Sequence, residues 1–182
     1  TWEADREKMY TRYLPGNGWS NATIISDGYG GLSWNDGISY HPAISTGSNG
    51  DVHVVWHDNT AGLWGIDNEV MYVKYTDALG WSFPWVISDG YEGAYWNNDD
   101  SNFAKLCVGA TGEVHVVWND LTDGVWGTDN EIMYVQYKPD FGWSNVTVIS
   151  DGYGGLYWND GHSAYPVITI DHHEYLHVTW HD

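Results

Sequence analysis

The sequence has little positive charge, one cysteine and no long apolar segment. Six Lys and Arg residues stand against 25 Asp and Glu residues, which gives a formal net charge of −19. Phosphate backbones and anionic lipids repel such a chain, so neither binding to nucleic acid nor insertion into a membrane is expected. No apolar run reaches the roughly 20 residues that a membrane-spanning helix needs. Cys107 is the only cysteine, so a disulfide within the chain is excluded.

A helical hydrophobic stripe is also absent, and short segments of β-branched and aromatic residues take its place. The segments DVHVVWHD, EVMYVKYT and WSNVTVIS lie between clusters of Gly, Asp, Asn and Ser. This pattern is typical of β-strands. Within residues 27–88 the pattern predicts four strands, at 42–46, 52–58, 69–76 and 81–88.

The strand pattern recurs with a constant spacing. The tripeptide Gly-Trp-Ser has its tryptophan at 19, 81 and 143, a spacing of 62 residues, and the histidines at 53, 115 and 177 keep the same spacing. A repeat that contains four strands is typical of a propeller blade. The sequence therefore predicts an all-β propeller of four-stranded blades, with three blade equivalents in each chain.

The repeat boundaries predict two complete blades and one that is split between the two ends of the chain. The split blade has its third and fourth strands at 1–26 and its first two strands at 151–182, and the complete blades are 27–88 and 89–150. A ring of three blades needs a wedge angle that twisted four-stranded sheets do not normally supply, because propellers have roughly four to eight blades. A homodimer in which each chain completes the partner's split blade gives six blades and covers the open strand edges.

The segments HPAISTGSNGDVHVVWHD and NEVMYVKYTDALGWS resemble the sialidase-type repeats related to the Asp box. The resemblance implies a six-bladed propeller, although the Asp-box turn is reduced here to Gly-Trp-Ser. Catalytic sialidases use several arginines to bind the sugar carboxylate. This chain has only Arg6 and Arg12, and neither recurs in the other repeats. The prediction is therefore that the protein is not an enzyme.

The long loops are expected to share one face of the propeller, and they are rich in Trp, Asp, Asn and Gly. An indole packs against the apolar face of a sugar ring, and carboxylate or amide groups bind its hydroxyls. The alternative is that these tryptophans pack between neighbouring blades. The predicted ligand-binding residues are Trp34, Asn35, Asp36, Trp96, Asn97, Trp158, Asn159, Asp160, Trp64 and Trp126.

Repeated carboxylates flank the loop that follows the second strand, and they form a candidate calcium site. Calcium takes roughly six to eight oxygen ligands, which Asp-rich loops can supply. Acidic loops that are simply solvated are the alternative. The candidate ligands are Asp58, Asp67, Glu69, Asp120, Asp129 and Glu131. The histidines at 53, 115 and 177 are predicted to be structural, because equivalent residues lie a whole blade apart and cannot share one ion.

These features together favour a non-catalytic propeller that binds carbohydrate through its loop face. A calcium-stabilised scaffold, adhesion or protein-interaction module is the second interpretation, and a glycoside-processing enzyme is the third. The sequons at Asn21 and Asn145 permit glycosylation and favour an extracellular or cell-surface location.

Overall fold

The structure is a computed structural model that describes residues 6–27, 35–89, 97–151, 159 and 161–182. All of the regular secondary structure in these residues is β, and the strands pair antiparallel. No helix in the described part of the chain has the length and apolar character needed to cross a membrane. The prediction of an all-β fold is confirmed.

The described residues form sixteen strands, numbered in chain order. They are β1 (Met9–Tyr10), β2 (Tyr13–Leu14), β3 (Gly18–Trp19), β4 (Thr23–Ile24), β5 (Ser39–Thr46), β6 (Val52–Asp58), β7 (Glu69–Thr76), β8 (Gly80–Trp81), β9 (Trp85–Val86), β10 (Ser101–Val108), β11 (Val114–Asp120), β12 (Glu131–Lys138), β13 (Gly142–Trp143), β14 (Thr147–Val148), β15 (Ala164–Ile170) and β16 (Leu176–His181).

We call the repeats along the chain units: the first is 1–26, the second 27–88, the third 89–150 and the last 151–182, and the first and last are the two parts of the split one. Two sheets repeat the same strand order. The second unit has the order β5-β6-β7-β8 and the third unit has β10-β11-β12-β13, while β9 and β14 pair with β7 and β12. β6 and β7 have the bounds predicted from the sequence. The first strand begins earlier than predicted, at Ser39, and the fourth strand is divided into two short pieces.

The repeated Gly-Trp-Ser tripeptide explains the division of the fourth strand. Gly80 takes a φ of 76°, which favours glycine and closes the turn after β7. Trp81 packs edge-on against Tyr10 of the preceding unit at 4.8 Å between ring centroids. The Ser82 hydroxyl accepts a hydrogen bond from the Lys74 backbone N–H at 3.0 Å. Where the strand breaks, this side chain therefore replaces the backbone carbonyl that would otherwise accept the bond.

The core lies between successive units. Trp118 and Met133 of the third unit are completely buried against Val55 and Val70 of the second. A smaller cluster around Trp56 joins the first and second units. Burying such side chains contributes about 1.5–3 kcal/mol each, so packing between units is a main source of stability.

The two ends of the chain form separate two-stranded sheets. In the described residues β1 pairs with β4 and β15 pairs with β16, and no ladder connects β16 with β1. The unit that the sequence predicts to be split is therefore not completed within the chain. The number of blades and the homodimer stay predictions.

Candidate functional site

Strands β5, β10 and β15 hold the same position in the repeat, and each contains a bulge at the same place. The ladder register shifts between Tyr40 and Ala43 in β5, and β10 and β15 shift at the equivalent positions. The residues at the three bulges are His41, Phe103 and Tyr165, with φ of 45°, 57° and 54°. A non-glycine residue in this region costs on the order of 1–3 kcal/mol, and such residues concentrate at functional sites.

The bulges bring their side chains together. The His41 and Phe103 rings lie 4.8 Å apart between centroids, and the Phe103 and Tyr165 rings lie 4.7 Å apart. Further rings adjoin them: His57 stacks on His41 at 5.1 Å and on Tyr40 at 5.4 Å. His181 completes the set beside Tyr165. We call these residues, Tyr40, His41, His57, Phe103, Tyr165 and His181, the bulge cluster.

The three repeats differ in chemistry at the bulge cluster. The serine two residues before each bulge is the same in every unit, at 39, 101 and 163. The bulge residue itself is histidine, phenylalanine or tyrosine. His57 has Asn119 as its equivalent in the third unit. The rings therefore form one asymmetric site and not three copies of one site.

The two histidines that the second unit contributes to the bulge cluster are uncharged at neutral pH. Burial, with smaller contributions from the neighbouring His41 and Lys8, lowers the pKa of His57 to about 4. The pKa of His41 is also lowered, by burial and by the charges of Lys105 and Lys8. His57 is buried and its Nδ1 accepts a 3.3 Å hydrogen bond from the Phe103 backbone N–H, whereas His41 is exposed. Of these two imidazoles, His41 is therefore the accessible one.

Of the residues predicted to bind a ligand, Trp34, Trp96, Trp158 and Asp160 lie outside the described residues. The three asparagines are buried, and each donates through its Nδ2 to the carboxylate that ends the second strand of its unit. The distances are 2.7 Å to Asp58, 3.0 Å to Asp120 and 2.9 Å to Asp182. Asn35, Asn97 and Asn159 thus hold a carboxylate inside the unit, and a role in sugar binding stays a prediction.

Three further residues of the predicted loop site are described. Asp36 is exposed. Trp64 and Trp126 are half-buried, and their indole N–H groups donate to the carbonyls of Thr60 and Thr122 at 2.9 and 3.0 Å. Both indoles also pack against the core. This arrangement matches the alternative that tryptophans of these loops pack inside the fold.

The carboxylates predicted as calcium ligands occupy two kinds of environment. Asp58 is buried, and its oxygens accept hydrogen bonds from Asn35, Ser39, Trp56 and Thr60. Burial opposes ionisation, but these donors outweigh it and hold the pKa of Asp58 below its usual value. Asp120 accepts the equivalent set of bonds, but deeper burial raises the pKa of this carboxyl.

The remaining carboxylates each keep a buried oxygen without a hydrogen-bond partner. These oxygens belong to Asp67, Glu69, Asp129 and Glu131. Burial raises the pKa of Glu69 to about 9 and that of Glu131 to about 7, with nearby carboxylates adding to the shift. Among the described residues, the three ligand atoms close enough to share an ion belong instead to Asp171, His172 and His173, in the exposed β15–β16 turn. Calcium binding by the predicted set stays a prediction.

The repeated histidines of the second strand are structural in the two complete units, as predicted. His53 Nδ1 lies 2.7 Å from the Tyr72 hydroxyl and His115 Nδ1 lies 2.8 Å from that of Tyr134. His177 differs, because in the described part of the chain β16 pairs with β15 alone. Its side chain is exposed and contacts Asp171 at 3.3 Å.

Comparisons with known proteins identify the fold only. No family model and no curated protein matches the sequence. The structure is similar to that of a family 117 glycoside hydrolase from the marine bacterium Zobellia galactanivorans, with a TM-score of 0.50 and 14% sequence identity. The match covers 91% of this chain and 51% of that one, so this chain spans about half the length of the protein it resembles.

This match contradicts the prediction of a non-catalytic binding protein. The structure that shares the fold is an enzyme that acts on glycosides, so the lack of a sialidase-like arginine set does not exclude catalysis. A catalytic centre can also lie where the repeats differ, and the three repeats carry three different ring types at positions 41, 103 and 165.

Proposed function

We propose that the protein is a glycoside-processing enzyme and that its sugar substrate binds at the bulge cluster. The observation that carries the proposal is an asymmetric group of strained, aromatic and titratable residues in a fold shared with a glycoside hydrolase. The aromatic rings suit the proposal, because aromatic faces pack against the apolar faces of sugar rings. Tyr165 is 56% exposed and so offers part of this surface to a ligand.

Proton transfer at the glycosidic bond is assigned to His41. Hydrolysis breaks the bond between the anomeric carbon and the leaving oxygen, joins the water oxygen to that carbon and transfers one water proton to the leaving group. A side chain that carries this proton must be accessible, and it must be uncharged to take the proton from water before passing it to the leaving group. His41 meets both requirements, while His57 beneath it orients the ring through their stacking contact.

A panel of glycosides tests the proposed function. The purified protein is incubated with oligosaccharides and aryl glycosides of neutral, carboxylated and sulfated sugars, and released reducing ends are measured. We expect turnover of at least one class, with His41→Phe as the matched inactive control. Absence of turnover across the panel by a correctly folded protein would contradict the proposal.

The complete architecture proposed for this enzyme is a six-bladed propeller made from two chains. β15 and β16 expose one face, which includes Val167, Thr179 and His177, whereas the equivalent second-unit residues Val55 and His53 are buried. At the other end of the chain, Met9 is 42% exposed, although its equivalent Met71 is 1% exposed. Both ends therefore expose surfaces that the complete units bury.

The open end formed by the first strands of the chain contains a cavity. A cavity of about 140 Å³ lies between β1 and β5, lined by residues that include Lys8, Tyr10, Ile25 and Ala43. In the next unit, the equivalents of Lys8, Tyr10 and Ile25 pack against Val55. Thr179 is the equivalent of Val55, so we place Thr179 of a second copy in this cavity. The ladder that pairs Trp56 with Met71 likewise places Trp180 opposite Met9 of the second copy.

Sedimentation measures this assembly. We expect a folded species of twice the 20.6 kDa chain mass at low micromolar concentration. Met9→Glu should shift the equilibrium towards the monomer, because it places a charge in the seam. Leu79→Glu is the matched control, because Leu79 is 80% exposed in a complete unit. A compact, folded wild-type species with the mass of one chain would refute the dimer.

A further inference from the structure

Half of the positively charged residues of the chain lie around the bulge cluster. The guanidinium carbon of Arg6 lies 5.4 Å from the centroid of the Tyr40 ring. The Lys8 ammonium donates to the Ser39 carbonyl, one residue before Tyr40. Lys8 and Lys105 both depress the pKa of His41, so both ammonium groups act on the same imidazole. Three of the six Lys and Arg residues are therefore gathered in a chain of net charge −19.

Within the described residues, no ion pair joins any of these three cations to a carboxylate. Among the described residues, the Lys and Arg ion pairs join Arg12 with Asp77 and Lys74 with Asp51. Arg6, Lys8 and Lys105 form none, although the chain has 25 acidic residues. Burial lowers the pKa of Lys8, and the carboxylates of Asp58 and Glu7 oppose that shift, but the oxygens of the buried Asp58 already accept bonds from neutral donors. The positive charge is therefore available to a ligand.

The repeat shows that the fold does not require these charges. The equivalents of Arg6 are Asn68 and Asn130, those of Lys8 are Val70 and Ile132, and those of Lys105 are Ala43 and Val167. Each cation occurs in one repeat only, and the three are brought together by contacts between the first unit, the second unit and β10. A structural role would be served by the uncharged residues that the other repeats carry.

We infer that the bulge cluster binds an acidic sugar, whose carboxylate or sulfate group is held by Arg6, Lys8 and Lys105. This inference rests on the proposed function, because it names the substrate class of the same site. Guanidinium groups bind carboxylates and sulfates through paired charge-assisted hydrogen bonds, and lysines add point charges. The neighbouring rings of Phe103 and Tyr165 face the apolar side of the sugar, so the charged group and the ring are recognised by different parts of the cluster.

Binding of matched sugars tests the inference without any need for turnover. D-Glucuronate, D-glucose 6-sulfate and D-glucose are titrated into the protein, and affinities are measured by calorimetry and by the side-chain NMR signals of His41. We expect at least one charged sugar to bind about tenfold or more tightly than D-glucose, and the difference to shrink as salt screens the charges. The bound anion should also raise the pKa of His41, because it offsets the charges of Lys105 and Lys8.

Variants taken from the chain's own repeats keep the test specific. Arg6→Asn and Lys105→Ala introduce residues that equivalent positions already hold, so both should fold and both should lose about tenfold in affinity for the charged sugar. Lys138→Gln removes the same charge at an exposed position of β12 and should bind normally. Equal affinity for all three sugars, or an equal loss in Lys138→Gln, would overturn the inference.

The two proposals fail separately. Selective binding of charged sugars without hydrolysis of any glycoside would remove the enzymatic function and leave the acidic-sugar site in place. Hydrolysis of neutral glycosides alone, together with no preference for charged sugars, would support the enzyme and refute the acidic substrate.

Discussion

His41→Phe is expected to lower kcat by roughly 10²- to 10⁴-fold, the usual contribution of a general acid or base. The substitution keeps an aromatic ring in the cluster and removes the group that transfers a proton. The fold should tolerate it, because Phe103 occupies the equivalent position with a φ of 57°, close to the 45° of His41. A change in kcat at an unchanged melting temperature is the predicted signature, and a steady-state assay with thermal denaturation measures both.

The pH profile separates proton transfer from a structural role. The pKa of His41 lies below the usual value for histidine because of burial, Lys105 and Lys8. If the neutral imidazole is the active form, kcat/KM of the wild type should hold at neutral pH and fall as the pH drops through this lowered pKa. His172→Phe is the matched control in the exposed β15–β16 turn and should leave the profile unchanged. Wild-type activity in His41→Phe would exclude the proposed role.

Trp118→Ala is expected to destabilise the protein by about 3–5 kcal/mol, as truncation of a large core side chain does. Trp118 is completely buried in the cluster between the second and third units. Its indole N–H also donates to Asp120 at 2.7 Å, so the variant leaves a buried carboxylate with one donor fewer. Urea denaturation of wild type and variant at equal protein concentration gives the difference in the free energy of unfolding.

Phe141→Ala is the control for this loss. Phe141 is 80% exposed and lies in the turn between β12 and β13, within a complete unit. A change within about 0.5 kcal/mol is expected there. Similar losses in Phe141→Ala and Trp118→Ala would show that packing between units is not the source of stability that the structure indicates.

The strands could be predicted from the sequence because local patterns specify them. Alternating side chains in β6 and β7, with turns of Gly, Asn and Asp between strands, leave few other solutions. The break in the fourth strand could not be predicted from alternation, because it depends on the Ser82 hydroxyl bonding to the Lys74 backbone. That contact is specific to the tertiary structure.

The candidate site could not be predicted because its residues share no local pattern. His41, Phe103 and Tyr165 lie 62 residues apart and differ in type, so a search for repeated residues passes over them. Their proximity follows from three bulges that bring different first strands together. The repeated loop residues that the sequence singles out include buried groups such as Asn35 and Asp58, which are hydrogen-bonded to each other.

The structure of the protein with a bound sugar tests the central claim most directly. Crystals of His41→Phe soaked with D-glucuronate, or with the best substrate from the glycoside panel, are the material for this measurement. The account predicts density for the sugar ring against Phe103 and Tyr165, with its charged group between Arg6 and Lys105. A sugar bound only at the acidic loops, with the bulge cluster empty, would contradict it.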